Sequence, residues 1–299
     1  MTTGAIDVVP TSAVSSDELF DSGIPKPVAI VTGAGRARGI GRAICRRLAG
    51  MGYAVVVHER DADSSARIEQ ELLDGWRGAQ SVVEEITAAG GRAVGVAGDV
   101  RDPQTAVALL DAADTLGALA AMINNHGSAG EANTHLAHET PASLWEDTFA
   151  VNVTSLQRLG AVLVPALINS PAPQRSIVYL SSTAGHRALR RYGAYCASKA
   201  AVERLTEQQA IELARYGIRV NCVAPGLTPT DMVDGTLGRA ATTGGVPVEQ
   251  VMESALRSIP LRRTATTDDI AGAVAFLIGN DATYITGQIL TVDGGMTLV

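Results

Sequence analysis

From Val28 onward, short apolar runs alternate with longer amphipathic stretches. The runs at residues 28–32, 53–58, 93–96, 120–123, 176–180, 219–223 and 288–292 have the length and β-branched content of buried strands. Residues 42–50, 104–116, 144–168 and 193–216 instead repeat apolar positions at helical spacing, as Ile44 and Leu48 do on one face of the first. A long polar, amphipathic stretch follows the second run and reaches Ala89. Strands alternating with helices predict βαβ units, and those require a mostly parallel sheet covered on both faces.

The alternation begins only after a polar segment, residues 1–27, which ends in Ile24-Pro25-Lys26-Pro27 and lacks a basic-then-apolar leader pattern. It reads as a flexible extension, with residues 28–299 forming one catalytic domain. Two stretches exceed what minimal crossovers need: the charged residues 60–80, and residues 227–260, which follow a Pro-Gly and are long enough to form a substrate lid.

Composition adds limits to this picture. Hydrophobic residues are 46% of the 299 and aromatics only 4%, with 31 glycines, so the core favours helices packed closely on a sheet. A net charge of −7 without a basic stripe argues against nucleic acid. Cys45, Cys196 and Cys222 are dispersed and belong to no metal-ligand spacing, which points to reduced thiols in a cytoplasmic protein and to no metal site. No uninterrupted apolar run approaches the roughly 18–20 residues that span a bilayer, so no membrane association is expected.

The first strand runs into Thr32-Gly33-Ala34-Gly35-Arg36-Ala37-Arg38-Gly39-Ile40-Gly41, ahead of the first helix. Glycines there allow positive φ and let the backbone approach a pyrophosphate at a helix N-terminus. Between a buried strand and a helix opening a βαβ series, this marks a dinucleotide site. The fold class is thus α/β, a single Rossmann-type doubly wound parallel sheet with helices on both faces. Glu59 ends the second strand, near the spacing at which an acid binds the adenine-ribose 2′-hydroxyl, so NAD is preferred. NADP stays open, because Arg36, Arg38 and Arg60 are phosphate-type partners and Glu59 also reads as a solvated strand end.

Further along stand Asp99-Val100, Asn124-Asn125-His126-Gly127, Asn152, Ser181-Ser182, Tyr195-Cys-Ala-Ser-Lys199, Asn221-Cys-Val-Ala-Pro225-Gly226 and Asp293-Gly294-Gly295. In this order, on these elements, they resemble the short-chain dehydrogenase/reductase family over about residues 28–296. Hydride transfer to a ketone leaves an alkoxide, so a proton donor must sit at the carbonyl oxygen. Tyrosine titrates near 10, and a cation on the same helix face, Lys199 four residues after Tyr195, favours its phenolate. The resemblance implies that Tyr195 is the acid/base and that Ser182 holds the substrate oxygen. It also implies that Lys199 bonds the nicotinamide ribose, and that Asn152 props a water chain from a distorted stretch of its helix. By the same resemblance Gly33, Arg38, Gly39, Ile40, Gly41, Glu59, Asp99, Val100, Asn125 and Gly127 bind the cofactor or line its cleft with Asn124. Pro225, Gly226 and Thr228 or Thr230 would lie along the nicotinamide. Asp99 reads equally well as a turn residue.

Two features depart from the family's main pattern. Five residues rather than three separate Gly33 from Gly39, a length found in the divergent enoyl-reductase branch. That branch also places its tyrosine as Tyr192 stands to Lys199. Ser182, Gly39-Ile40-Gly41 and the Asn-Asn-x-Gly motif favour alcohol/ketone chemistry, including a 3-oxoacyl thioester, with Tyr192 as a pocket wall. The second departure is His126 in place of the usual alanine, either a tolerated residue or a contact to cofactor or substrate. Three readings therefore stand: an NAD(P)-dependent dehydrogenase/reductase of secondary alcohols and ketones using Tyr195, an enoyl thioester reductase using Tyr192, and a non-catalytic cofactor-binding protein. Arg187, Arg190 and Arg191 either meet an acidic substrate or are solvated. The family implies a homotetramer or homodimer, and the small residues Ala194, Ala197, Ala200 and Ala201 suit close helix approach or ordinary core packing alike.

Overall fold

Within each central strand, alternate residues face opposite layers, and this alternation builds the two cores. In the computed structural model the described residues are 26–61, 69–130, 132 and 134–299. The extension read at 1–27 lies outside them up to residue 25. Seven strands form one parallel sheet in the order β3-β2-β1-β4-β5-β6-β7. They are β1 (Pro27–Val31), β2 (Ala54–Glu59), β3 (Ala93–Ala97), β4 (Ala118–Asn124), β5 (Arg175–Leu180), β6 (Ile218–Pro225) and β7 (Ile289–Val292). Ala29 and Val31 point into one core with α1 (Ile40–Gly50), α3 (Ala79–Ala88) and α10 (Thr267–Ile278). Val28 and Ile30 point into the other, with α4 (Pro103–Leu116), α6 (Ser155–Asn169) and α7 (Gly193–Leu213). The short α2 (Glu69–Leu73) precedes α3, and α5 (Ala142–Phe149) leads through a π turn (Ala150–Thr154) into α6.

The expected helix at 144–168 is therefore one continuous helix with a π turn at Asn152. Its length and composition are enough to cross a membrane, which the scan for uninterrupted apolar runs passed over because polar residues interrupt it. Here it packs on α4, α7 and β4. The stretch 227–260 folds into two helices, α8 (Asp231–Gly244) and α9 (Val248–Arg257). Helix α10 went unpredicted, although Thr266 and Asp269 form a reciprocal capping box at its start, with Asp269 N–H donating to Thr266 Oγ1 at 3.1 Å.

Strand order reverses between β1 and β4, which opens a crevice at the strands' C-terminal ends. Two histidines tie the strand ends around it. His58 accepts from Gly33 N–H at 3.2 Å and, through Nε2–H, donates to Gly98 O at 2.8 Å. The Thr32 hydroxyl donates to His126 Nδ1 at 2.7 Å, and His126 Nε2–H donates to Ser155 Oγ at 2.8 Å. Ser155 passes its own proton to Val151 O, so this network assigns one neutral tautomer to each ring. His126, read from sequence as tolerated or ligand-facing, is thus a cross-brace between Thr32 at the end of β1 and Ser155 at the start of α6.

Burial lowers the pKa of His58, and burial with the neighbouring His58 and Lys199 lowers that of His126 to about 3. In the unfolded chain both titrate near 6.5, so below that pH only the unfolded state takes up these protons. Stability should therefore fall as pH drops from 7 to 5, by about 2 kcal/mol for His126 alone. Urea unfolding at the two pH values checks this, and His126→Asn should flatten the dependence; equal slopes would refute it.

Candidate active site

The glycine loop leaves β1 with Gly33 at φ 65°, where a Cβ would lie 2.7 Å from His126 Cα. At Gly41 a Cβ would lie 2.7 Å from both Ala34 Cα and Asn125 Nδ2, so the first turn of α1 packs flush on the loop. Gly39 caps α1 without a side-chain bond, leaving first-turn N–H groups for an anion. Asn125 donates to the carbonyls of Thr32 (3.0 Å) and Gly33 (2.9 Å), clamping β4's end to the loop. A side-chain-free cradle at a helix N-terminus fits a dinucleotide pyrophosphate.

The loop's extra length is braced by the charged insert. Buried Glu71 on α2 accepts from Ala37 N–H at 2.8 Å and from Arg36 at 2.9 Å. Trp76 Nε1–H donates to Gly35 O at 2.7 Å, while Arg42 stacks over the Trp76 ring and pairs with Glu85. Sequence reasoning noticed both the long loop and the insert but did not connect them. The missed signal was a carboxylate and a tryptophan in an otherwise solvated stretch.

A cleft of about 960 Å³ runs from this loop along the strand ends. Glu59 accepts from Ala79 N–H at 3.0 Å and lies against Gly35. Asp99 pairs with Arg101, whose hydrogen bonds hold its carboxyl below the usual range, and Val100 lines the cleft beside it. Gly127, Pro225, Gly226, Thr228 and Thr230 continue the lining, and Ile40 lies at its loop end. Arg38 reaches across to α8, pairing with Asp234 at 2.7 Å. Arg239 of α8 donates to Ala132 O at 2.9 Å. Arg187 and Arg191 donate to the carbonyls of Met296 and Thr134, so these two arginines brace main chain.

At the cleft floor Ser182 and Tyr195 stand side by side. Burial raises the Tyr195 hydroxyl to about 12, and the neighbouring Ser182 pulls the other way. The depressed phenol expected from Lys199 is thus not found; the ammonium lies 5.8 Å from the Tyr195 ring centroid and donates to Leu180 O at 2.8 Å. Desolvation lowers Lys199 to about 8. Asn152, 2% exposed, accepts from Ser128 N–H at 2.7 Å and donates to Ser128 O and Ser198 Oγ. The π turn brings its amide onto both the β4 loop and α7. Tyr192 packs edge-on against Tyr195, with centroids 6.4 Å apart. The four residues read as catalytic, Asn152, Ser182, Tyr195 and Lys199, all line the cleft floor or pack against its wall.

Residues 33–297 match a family model described as enoyl-(acyl carrier protein) reductase. The chain is 35% identical over 273 residues to cis-4-hydroxycyclohexanecarboxylate dehydrogenase of Sinomonas cyclohexanicum, covering 91% of this chain and 97% of that one. It is 34% identical over 271 residues to the 3-oxoacyl-(acyl-carrier-protein) reductase FabG of Staphylococcus aureus, covering 90% and 97%. The chain is a short-chain dehydrogenase/reductase. A crystal structure of an actinorhodin polyketide ketoreductase with NADPH superposes on this short-chain dehydrogenase/reductase with a TM-score of 0.79 at 31% identity, covering 91% and 97% of the two chains. The protein is accordingly an enzyme, an oxidoreductase of the NAD(P)-binding type.

Removing the Asn152 amide leaves Ser128 N–H unpaired and loosens the contact between the β4 loop and α7. Asn152→Ala should lower kcat on the order of 10²-fold, the loss that a displacement of about 1 Å causes at a reacting centre. Steady-state kinetics check this, and kcat within about twofold of wild type would refute it.

Proposed function

We propose that the enzyme interconverts a secondary alcohol and a ketone, with Tyr195 as general acid/base. The observation that carries this reading is the convergence of Ser182, Tyr195 and the buried Lys199 at the floor of one cleft. When bound, nicotinamide supplies or accepts the hydride. In reduction, Tyr195 gives its proton to the carbonyl oxygen as that oxygen becomes an alkoxide, and Ser182 Oγ donates to the same oxygen. The Lys199 ammonium stabilises the phenolate left behind, and Asn152 keeps α7 in register with the β4 loop. Oxidation runs the same proton path backwards.

Relatives named as dehydrogenases of cyclohexanol, from Rhodococcus, and of cis-4-hydroxycyclohexanecarboxylate support a secondary alcohol as substrate. The 3-oxoacyl and polyketide reductases keep a 3-oxoacyl thioester in the same class. Residues 227–260 serve as the substrate lid, a reading supported by apolar Leu227, Met232, Val233 and Leu237 facing the cleft. The enoyl-reductase reading through Tyr192 is weaker, because Tyr195 is the tyrosine that stands beside both Ser182 and Lys199. Association into a homodimer or homotetramer is supported by the apolar helix 142–169, of which only a third of the most apolar window is buried within the chain. The half-exposed edge strand β7, flanked by exposed Tyr284 and Leu298, supports the same. Three free thiols suit the reducing cytoplasm.

For the cofactor the reading is NAD. A carboxylate at Glu59 repels a 2′-phosphate and suits a ribose hydroxyl. Each loop arginine that would attract that phosphate is already matched: Arg36 with Glu71, Arg38 with Asp234, and Arg60 with Asp61.

Tyr195→Phe should lower kcat/KM by on the order of 10³-fold while leaving NADH affinity unchanged, and Tyr192→Phe should leave most turnover. A ketone and cyclohexanol panel checks this; retained activity in Tyr195→Phe would overturn the assignment. Fluorescence titration should find NADH bound at least about tenfold more tightly than NADPH, a gap that Glu59→Ala narrows. Tighter NADPH binding to the wild type would exclude the NAD reading.

A further inference from the structure

The turn that carries Ser182 converges on one carboxylate that the roles above leave unused. Ser181 Oγ donates to Glu203 Oε1 at 2.9 Å, and His186 Nδ1 lies 3.1 Å from the same oxygen. Gly185 packs so closely that a Cβ there would overlap the Glu203 side chain. Ser181 Oγ also stands 3.2 Å from the Lys199 carbonyl, and its one proton goes to the nearer, charged acceptor. Glu203 lies on α7 one helical turn beyond Lys199, with its side chain 14% exposed. One mostly buried carboxylate therefore fastens both sides of the Ser182 turn to the helix that carries Tyr195 and Lys199.

Charge gives the same residue a second task. Facing Lys199 are Tyr195 and Glu203 on α7, Cys222 on β6, the Asn152 amide from the π turn, and His126 with Gly127 on the β4 loop. Cys222 is a neutral thiol, raised to about 12 by burial, and His126 is a neutral ring. Glu203 is the carboxylate among these groups.

We propose that Glu203 is a positioning residue for the reaction: it fixes the turn that sets Ser182 against Tyr195, and supplies the counter-charge that keeps the buried Lys199 an ammonium. This rests on the reading of Tyr195 and Lys199 as the working pair. Burial draws Lys199 down to about 8, and Glu203 opposes that fall. A lysine with a lowered pKa keeps its proton below that value and loses it as pH rises through it. Without the Glu203 charge, the loss should begin at lower pH.

The composition makes the ionisation directly measurable. The chain has two lysines, Lys26 and Lys199, so the protein labelled with 13C at lysine Cε gives one resonance for each. Glu203→Gln keeps an acceptor oxygen for Ser181 but removes the charge. It should lower the Lys199 midpoint by roughly one pH unit, with the alkaline limb of kcat/KM moving equally and Glu203→Asp restoring part of the shift. Glu203→Ala should in addition lower kcat at every pH by roughly tenfold. An unmoved Lys199 midpoint in Glu203→Gln overturns the counter-charge, and unchanged kcat in Glu203→Ala overturns the positioning. A uniform loss with lowered Tm and no shift would make Glu203 merely structural and also refute the proposal. Because the resonance titrates without turnover, failure of the Tyr195 reading would show separately, as activity retained in Tyr195→Phe.

Discussion

Lys199 holds its charge at the floor of the cleft with 5% of its surface exposed, and an ammonium leaves water only where other groups replace its hydration. Much of the local architecture answers that requirement. The last carbonyl of β5 accepts one of its protons, so the strand must end where it does. Gly127 lies so close that a Cβ would come within 3.3 Å of Nζ, which explains a glycine at the end of the Asn-Asn-x-Gly motif. The π turn rotates Asn152 to hold that glycine's neighbour, Ser128, by both its N–H and its carbonyl. Twenty-two of the chain's twenty-four basic residues are arginine. At this site the compact ammonium of lysine fits against Gly127, where the planar guanidinium of arginine is bulkier.

A similar interdependence governs the cofactor end. A glycine loop two residues longer than its family's common form exposes extra backbone N–H and C=O groups beside a ligand cradle, and each needs a partner. The insert after β2 supplies them through Glu71 and Trp76. Burying Glu71 then requires a cation, which Arg36 provides from the loop itself. Loop length, insert and arginine therefore form one unit. The same pairing that satisfies the buried carboxylate engages a cation at the loop end of the cleft, so backbone satisfaction and the charge of that end are coupled.

What the sequence made legible follows from how local each signal is. Strands and helices with strong periodicity stood out, as did the glycine loop and the Tyr195–Lys199 spacing, because each is written within a few consecutive residues. Helix α10 was missed because its buried face, Ile270, Ala271, Val274, Ala275, Leu277 and Ile278, is matched by apolar Ala273 and exposed Phe276 on the other side, which blurs the helical period. Contacts between distant segments were not legible: Glu71 with Ala37, His126 with Thr32 and Ser155, and Glu203 with Ser181 each depend on which strand ends become neighbours. The ionisation of Tyr195 was not legible for a related reason. Spacing shows that Tyr195 and Lys199 share a helix face, but burial dominates the tyrosine's ionisation, and burial belongs to the assembled cleft.

The two tyrosines show where spacing stops being informative. Residues 192, 195 and 199 stand in the i, i+3, i+7 relation and so form one stripe of a helix. Any chain with a tyrosine three residues before the Tyr-x3-Lys pair also contains Tyr-x6-Lys, so the second pattern alone does not specify a second chemistry. Contacts separate them. Tyr195 stands beside Ser182, whose turn is anchored to α7, and beside the Lys199 ammonium. Tyr192 sits at the start of α7, where the nearby Arg239 of α8 partly offsets the effect of burial on its phenol, and it lines a small pocket with Ala129, Leu144 and Thr148. The two tyrosines thus share a stripe but not their surroundings, Tyr195 facing Ser182 and Lys199 and Tyr192 facing α8, and under the proposed mechanism the pair is complementary rather than rival.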